Sequence, residues 1–280
     1  MWKIEPPKHT ARSSYSACIK RIRSKELKER FENAVEEVAA AADSFARSAE
    51  AKKLYALGEE DFVLASITTA EMIALYNYRM AQKKSVGRFI YDDLMLSAPQ
   101  GRCPMCGQRT VSTIDHHLPK TLYPALAVTP LNLIPACSDC NKIKGNVAPT
   151  TEGDEPIHPY FDDVEKDPWL YASVVQTNPP ALVFRVTPPT SWAEVTKLRA
   201  HKHFSLFQLA PLYASQAAQE LSNIRYSLEC IFERGGADGV REHLAQEAAS
   251  RRRAHVNSWQ TAMYTALTED EWFCDGGFAA

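Results

Sequence analysis

The sequence predicts a mainly α-helical chain, with helical N- and C-terminal regions around a small central segment of different character. Three observations carry this. Apolar residues recur at three- and four-residue spacing through residues 24–97 and again through 191–268, the pattern of helices with one buried face. Residues 101–148 break that rhythm with turn signals and hold four of the seven cysteines. Strand-like composition outside that segment is confined to Ala181-Leu182-Val183-Phe184-Arg185-Val186. A length of 280 residues suffices for one large domain or two modest ones. Three regions follow: a helical region at 1–100, a core at 101–148 and a mostly helical region at 149–280.

In chain order, Ser24 caps a long helix over 24–57, with Leu27, Phe31, Ala34, Val35, Val38, Ala41, Ala42 and Phe45 on its buried face and Gly58 ending it. A second helix is expected over 61–82 and a short third over 86–97, stopping before Pro99. Proline and acidic residues over 149–168 read as a linker. Helical periodicity resumes over 191–232, with Ala210-Pro211 as a kink point, and over 238–268 after the break at Gly235-Gly236. No internal repeat is present.

Apolar residues make up 45% and charged residues 24%, as in ordinary globular proteins. No run approaches the roughly 20 apolar residues of a membrane span, and the start shows no secretory signal, so the expected compartment is cytoplasmic. A formal charge of -2 is low for a protein that holds nucleic acid unaided. Basic residues nevertheless concentrate over 12–30 and over 102–146, where Arg102, Arg109, Lys120, Lys142 and Lys144 face only Asp115 and Asp139.

Cys103, Cys106, Cys137 and Cys140 form two Cys-x-x-Cys pairs. In a reducing compartment such repeats read as zinc binding rather than as disulfides. Four thiolates around one ion make a closed structural site, which supplies folding energy that so small a segment lacks. Cys18, Cys230 and Cys274 are isolated. Between the pairs, Val111 to Ile114 reads as a strand and Asn132 to Pro135 as a second extended piece. A helix capped by Ser138 or Asp139 then starts near Cys140 and ends at Gly145. Alternation places His116 on one face of the strand and Asp115 and His117 on the other, unless twist beside Pro119 brings Asp115 and His116 together.

The pattern Asp115-His116-x-x-Pro119, Asn132-Leu133, Cys137-x-x-Cys140-Asn141-x-x-Lys144-Gly145 resembles the HNH endonuclease family in its zinc-stapled form with a ββα-metal core. The resemblance covers about 45 residues. It implies that Asp115 and Asn141 hold a catalytic divalent metal, that His116 is the general base and that Asn132 fixes the histidine loop through backbone contacts. Asn141 stands where the family often has a histidine. The implied reaction is hydrolysis of DNA phosphodiesters to 5′-phosphate and 3′-hydroxyl ends. The residue types suit it: a neutral imidazole accepts a proton from water near pH 7, and hard oxygen ligands suit Mg²⁺ or Mn²⁺. His117 ranks second to His116 as base or ligand, and Lys144 is a candidate for adding field toward the phosphate. Lys120 with Tyr123 either lines the substrate path or is solvated beside a packed aromatic. His158 either approaches the site or packs its segment onto the core, and the second reading is preferred.

The longer match, through Tyr123-Pro124-Ala125-Leu126 and Pro135-Ala136-Cys137, is similar to the PtuB nuclease subunits of Septu anti-phage systems. That similarity implies a PtuA-like ABC-type ATPase partner, with a retron reverse transcriptase and its non-coding RNA/DNA in some systems. The chain has no phosphate-binding Gly-x-x-x-x-Gly-Lys-Ser/Thr loop of its own. Two alternatives remain open at this stage: a zinc-stapled nucleic-acid-binding module without catalysis, and an HNH nuclease acting on RNA or tRNA.

Overall fold

Phe31, Ala34, Val38, Ala41, Ala42 and Phe45 are buried along one face, as their spacing requires, and organise the N-terminal half of the molecule. The computed structural model describes residues 1–280 and is mainly helical. Two compact units are present, one formed by residues 2–162 and the other by residue 1 with 163–280. In the first, α1 (Ala11–Ile19), α2 (Lys25–Asn33), α3 (Val35–Glu50), α4 (Thr69–Leu75) and α5 (Arg88–Leu96) surround a small antiparallel pair. That pair is β1 (Thr113–His116) and β2 (Leu133–Ala136), followed by α6 (Ser138–Lys144).

The helix expected over 24–57 is two helices that meet at Ala34, and regular helix stops at Glu50. Apolar periodicity does not register this bend, because the same face stays on the core through it. Ser24 does cap α2, accepting from the Leu27 N–H. The helix expected over 61–82 begins only at Thr69. There a reciprocal Thr68–Glu71 capping box sets its start, and Phe62, Leu64 and Ile67 are buried from non-α-helical chain. It then widens into a π-helical segment, Tyr76–Ala81. One hydrophobic core runs from Tyr15, Phe31 and Phe45 through Met72 and Leu94 to Ile114, Leu118, Tyr123 and Leu133. Packing is therefore continuous across residue 100, where composition changes.

The stretch read as a linker over 149–168 is partly interior. Glu155, Ile157, His158, Tyr160 and Asp162 are buried, and Glu155 accepts from the Tyr55 N–H at 2.8 Å. Acidic composition misled here, since two apolar side chains and a proline-set turn outweigh the surrounding charge.

The second unit holds a hairpin of β3 (Leu170–Val175) and β4 (Ala181–Val186), with α7 (Glu194–Leu206), α8 (Leu209–Ala254), α9 (Trp259–Glu269) and α10 (Glu271–Cys274). Of these two strands the sequence pattern predicts only β4. Pro211 lies in the first turn of α8, where a missing N–H costs nothing, and the break precedes it at Gln208 (φ 50°). Within α8, Gly236 has φ 59° and ψ -157°, and the chain doubles back there. A Cβ on Gly239 would lie 3.5 Å from Ile231, although eight residues of straight helix span about 12 Å. Arg251 of the returning limb accordingly reaches Glu220 of the first at 3.9 Å.

Buried Asn257 ties this unit together. Its Oδ1 accepts from the N–H groups of Trp169 (2.8 Å) and Leu170 (3.3 Å), and its Nδ2 donates to the carbonyls of Asp167 (2.8 Å) and Val164 (3.2 Å). Asn257→Ala orphans buried backbone groups and is expected to destabilise the unit by about 2–4 kcal/mol. Urea denaturation of the full chain measures it, and an unchanged midpoint for this unit would contradict the assignment.

Candidate metal centre and nuclease-like site

The four cysteines converge from two turns. Gly107, at φ 63°, lets the first knuckle fold back so that its N–H donates to the Cys103 carbonyl at 2.7 Å. The Arg109 N–H donates to Cys106 Sγ (3.4 Å) and the Cys140 N–H to Cys137 Sγ (3.3 Å). Cys137, rather than Ser138 or Asp139, thus caps α6. A sulfur capping its own helix is not among the usual cap residues, which is why sequence misplaced the start by two residues. All four thiols are buried and their sulfurs lie within 4.8 Å of one another. A tetrahedral ion with bonds of about 2.3 Å sets sulfur–sulfur distances of about 3.8 Å, so the donor set fits zinc. Arg109 pairs with Asp139 at 2.8 Å, and its charge also answers the thiolates of Cys106, Cys137 and Cys140, which together outweigh the effect of its burial.

This cluster sets the rest. With the knuckles joined, β1 and β2 pair in a register that puts Asp115 opposite Ile134 and His116 opposite Leu133. The loop between them is closed by Asn132, which is fully buried. Its Oδ1 accepts from the Leu118 N–H at 2.7 Å, while its Nδ2 donates to the Leu118 carbonyl at 3.0 Å. The His117 N–H donates to the Asn132 carbonyl.

Alternation then distributes the three side chains of the Asp115-His116-His117 run. Asp115 is 2% exposed and meets Lys144 of α6, whose Nζ stands 3.3 Å from Oδ2. The same ammonium also donates to the His116 carbonyl at 2.8 Å. Burial pushes the Asp115 carboxyl up to about 6, against the pull of Lys144. Asn141 lies one turn before Lys144 and so shares its helix face. The His116 ring is buried and its Nε2 donates to the Ala127 carbonyl at 2.9 Å. A carbonyl only accepts, so this bond leaves Nδ1 as the lone-pair nitrogen of the neutral ring. Burial, reinforced by Lys120, pushes the His116 imidazole down to about 3 and keeps it neutral.

The His117 ring packs at a tilt of 41° against His158, ring centroids 4.2 Å apart, beside Phe45 and Phe161. Both histidines are buried there, and His158 Nδ1 accepts from the Tyr160 N–H. Tyr123 is a packed aromatic: it sits against Phe62 and donates to the Leu57 carbonyl. Lys120 is half-buried, and its charge acts on both Asp115 and His116. Two contributors escaped the sequence reading. Tyr76 meets His116 at 4.4 Å between ring centroids, and Tyr160 donates to the Leu133 carbonyl at 2.8 Å, bracing β2. Both act across long sequence separations, for which no local signal exists.

The HNH endonuclease family profile matches residues 103–147. Protein ea31 of Escherichia phage lambda is 32% identical over 228 residues, which is 76% of this chain and 77% of that protein. The chain belongs to the family of this phage protein. Most of the aligned length lies outside the HNH domain, so the helical surroundings are part of what the two proteins share. No solved structure matches. An HNH domain with a four-cysteine metal-binding cluster is thus present. The cysteines form the one cluster of three or more histidine, cysteine or acidic ligands, and neither Asp115 nor Asn141 belongs to it. No helix is long and apolar enough to cross a membrane.

Purified chain is expected to hold one zinc. Structural zinc contributes about 10–16 kcal/mol in small modules, more than such a segment has to spare, so stripping it should unfold residues 103–147. Metal analysis and thermal melting with and without a strong chelator check this, and an unchanged melting profile of metal-free protein would contradict it. Asn132→Ala is expected to cost about 2–4 kcal/mol by orphaning both backbone groups of Leu118. Equilibrium unfolding measures it, with wild-type stability as the contrary result.

Proposed function

We propose that the HNH domain binds nucleic acid and that the chain hydrolyses its phosphodiester bonds with a divalent metal. The two steps rest on different observations. Binding is supported directly by the closed four-cysteine staple within an HNH fold, which requires no catalysis, and the staple backs this first step better than the second. Hydrolysis rests on one observation: the His116 ring is pinned through Nε2 to the Ala127 carbonyl, which leaves the Nδ1 lone pair unprotonated. A neutral, oriented imidazole is what proton transfer from water needs.

Asp115 and Asn141 would hold Mg²⁺ or Mn²⁺, with water and phosphate oxygens completing the shell. The metal, when bound, supplies Lewis-acid stabilisation of the phosphodiester. The bound substrate is proposed to be DNA, with RNA or tRNA as the alternative. A PtuA-like ATPase partner and a role in anti-phage defence rest on the sequence similarity alone; a formal charge of -2 is compatible with a companion that adds positive surface.

Plasmid DNA, duplex and single-stranded oligonucleotides and tRNA, incubated with Mg²⁺, Mn²⁺ or EDTA beside His116→Ala, separate the steps. Metal-dependent cleavage should fall by about 10²–10⁴-fold in the variant while binding persists. Binding with no cleavage by either protein leaves the non-catalytic module as the function.

A further inference from the structure

Tyr76 comes from outside the HNH domain yet touches two of its site residues. It opens the π-helical segment Tyr76–Ala81 that continues α4, and such widened turns are rare and frequent at functional sites. The side chain is buried. Its ring meets the His116 imidazole at 4.4 Å and 74°, and the Lys120 ammonium stands 5.3 Å from the centroid of the same ring. Burial raises the Tyr76 phenol far above its ordinary value, so the ring stays neutral and attractive to a cation.

The two lysines of the site differ accordingly. Lys144 is held by Asp115 and the His116 carbonyl, whereas Lys120 contacts an aromatic face and no carboxylate lies within ion-pair distance of it. A lysine stem loses substantial rotamer freedom when fixed, and a ring beneath the ammonium offsets that loss without consuming its charge. Likewise, one hydrogen bond from Nε2 anchors an imidazole but does not set its plane; a second ring packed across it does.

We propose that Tyr76 is a positioning residue, acting through His116 by fixing the plane of its ring and through Lys120 by holding its ammonium where a phosphodiester oxygen meets it. The helical N-terminal segment is then part of the site and the HNH domain is incomplete without it. The phosphate contact deepens the nucleic-acid reading above and depends on it; the effect on His116 does not.

The test uses the full chain with Tyr76→Leu, Tyr76→Phe and Lys120→Met, each checked for zinc content and melting. Histidine and tyrosine ring resonances are recorded by NMR, and binding to a short DNA duplex is followed across salt concentrations. Tyr76→Leu should shift the His116 ring resonances and weaken binding roughly three- to thirty-fold, and Tyr76→Phe should restore both. Lys120→Met should shift the Tyr76 ring resonances and reduce the salt slope by about one, the signature of one lost phosphate contact. Should Tyr76→Leu fail to fold, Lys120→Met carries the test, because its half-exposed position leaves the core intact. Unmoved His116 resonances in a folded Tyr76→Leu, or unmoved Tyr76 resonances in Lys120→Met, overturn the proposal. If the wild-type chain binds neither DNA nor RNA, the nucleic-acid reading and the phosphate role of Lys120 fall together, and the His116 resonances still decide the positioning role.

Discussion

The four-sulfur cluster is the constraint on which the centre of the molecule depends. Two short strands joined by a long loop have little to hold them, since an isolated two-stranded pair is marginal in water. Joining the knuckles fixes both strand ends and the start of α6 at once. Every site residue is then placed by its distance along the chain from a sulfur. Asp115 and His116 follow from the strand register, and Asn141 and Lys144 from the helix turn.

Around that staple the protein spends buried polar groups with unusual density. Asp115, His116, His117, Asn132 and Lys144 are all buried within one short segment. Each needs a partner, since an orphaned buried group costs about 1–3 kcal/mol. Asn132 meets the need with a bidentate grip on Leu118, Lys144 with a charge contact and a carbonyl, and His116 with the Ala127 carbonyl. The helices supply the apolar walls. Ile114, Leu118 and Leu133 belong to the same core as Phe31 and Phe45.

Much of the centre was legible in the sequence because its determinants are local. Cysteine spacing, the Asp115-His116 pair and Gly145 each signal through their immediate neighbours. The limits of regular helix were not legible, because amphipathic spacing persists through the bend at Ala34 and through the non-helical turns before Thr69. Strand β3 was missed since Tyr171, Ala172 and Ser173 lack a strong alternating pattern; β4 alone shows one. The partners of the site residues were least accessible. That His116 faces Tyr76, that His117 faces His158 and that Lys144 faces inward are outcomes of tertiary packing, which no spacing rule encodes.

The Lys144–Asp115 contact has a consequence for how the end of α6 is held. Both side chains are buried, Asp115 at 2% and Lys144 at 6% exposure, so bulk solvent does not reach either charge. Breaking such a pair by removing one member costs about 3–5 kcal/mol, which far exceeds thermal energy. The last turn of α6 is therefore tethered to β1 by charge as well as by packing, and whatever neutralises Asp115 loosens that helix end.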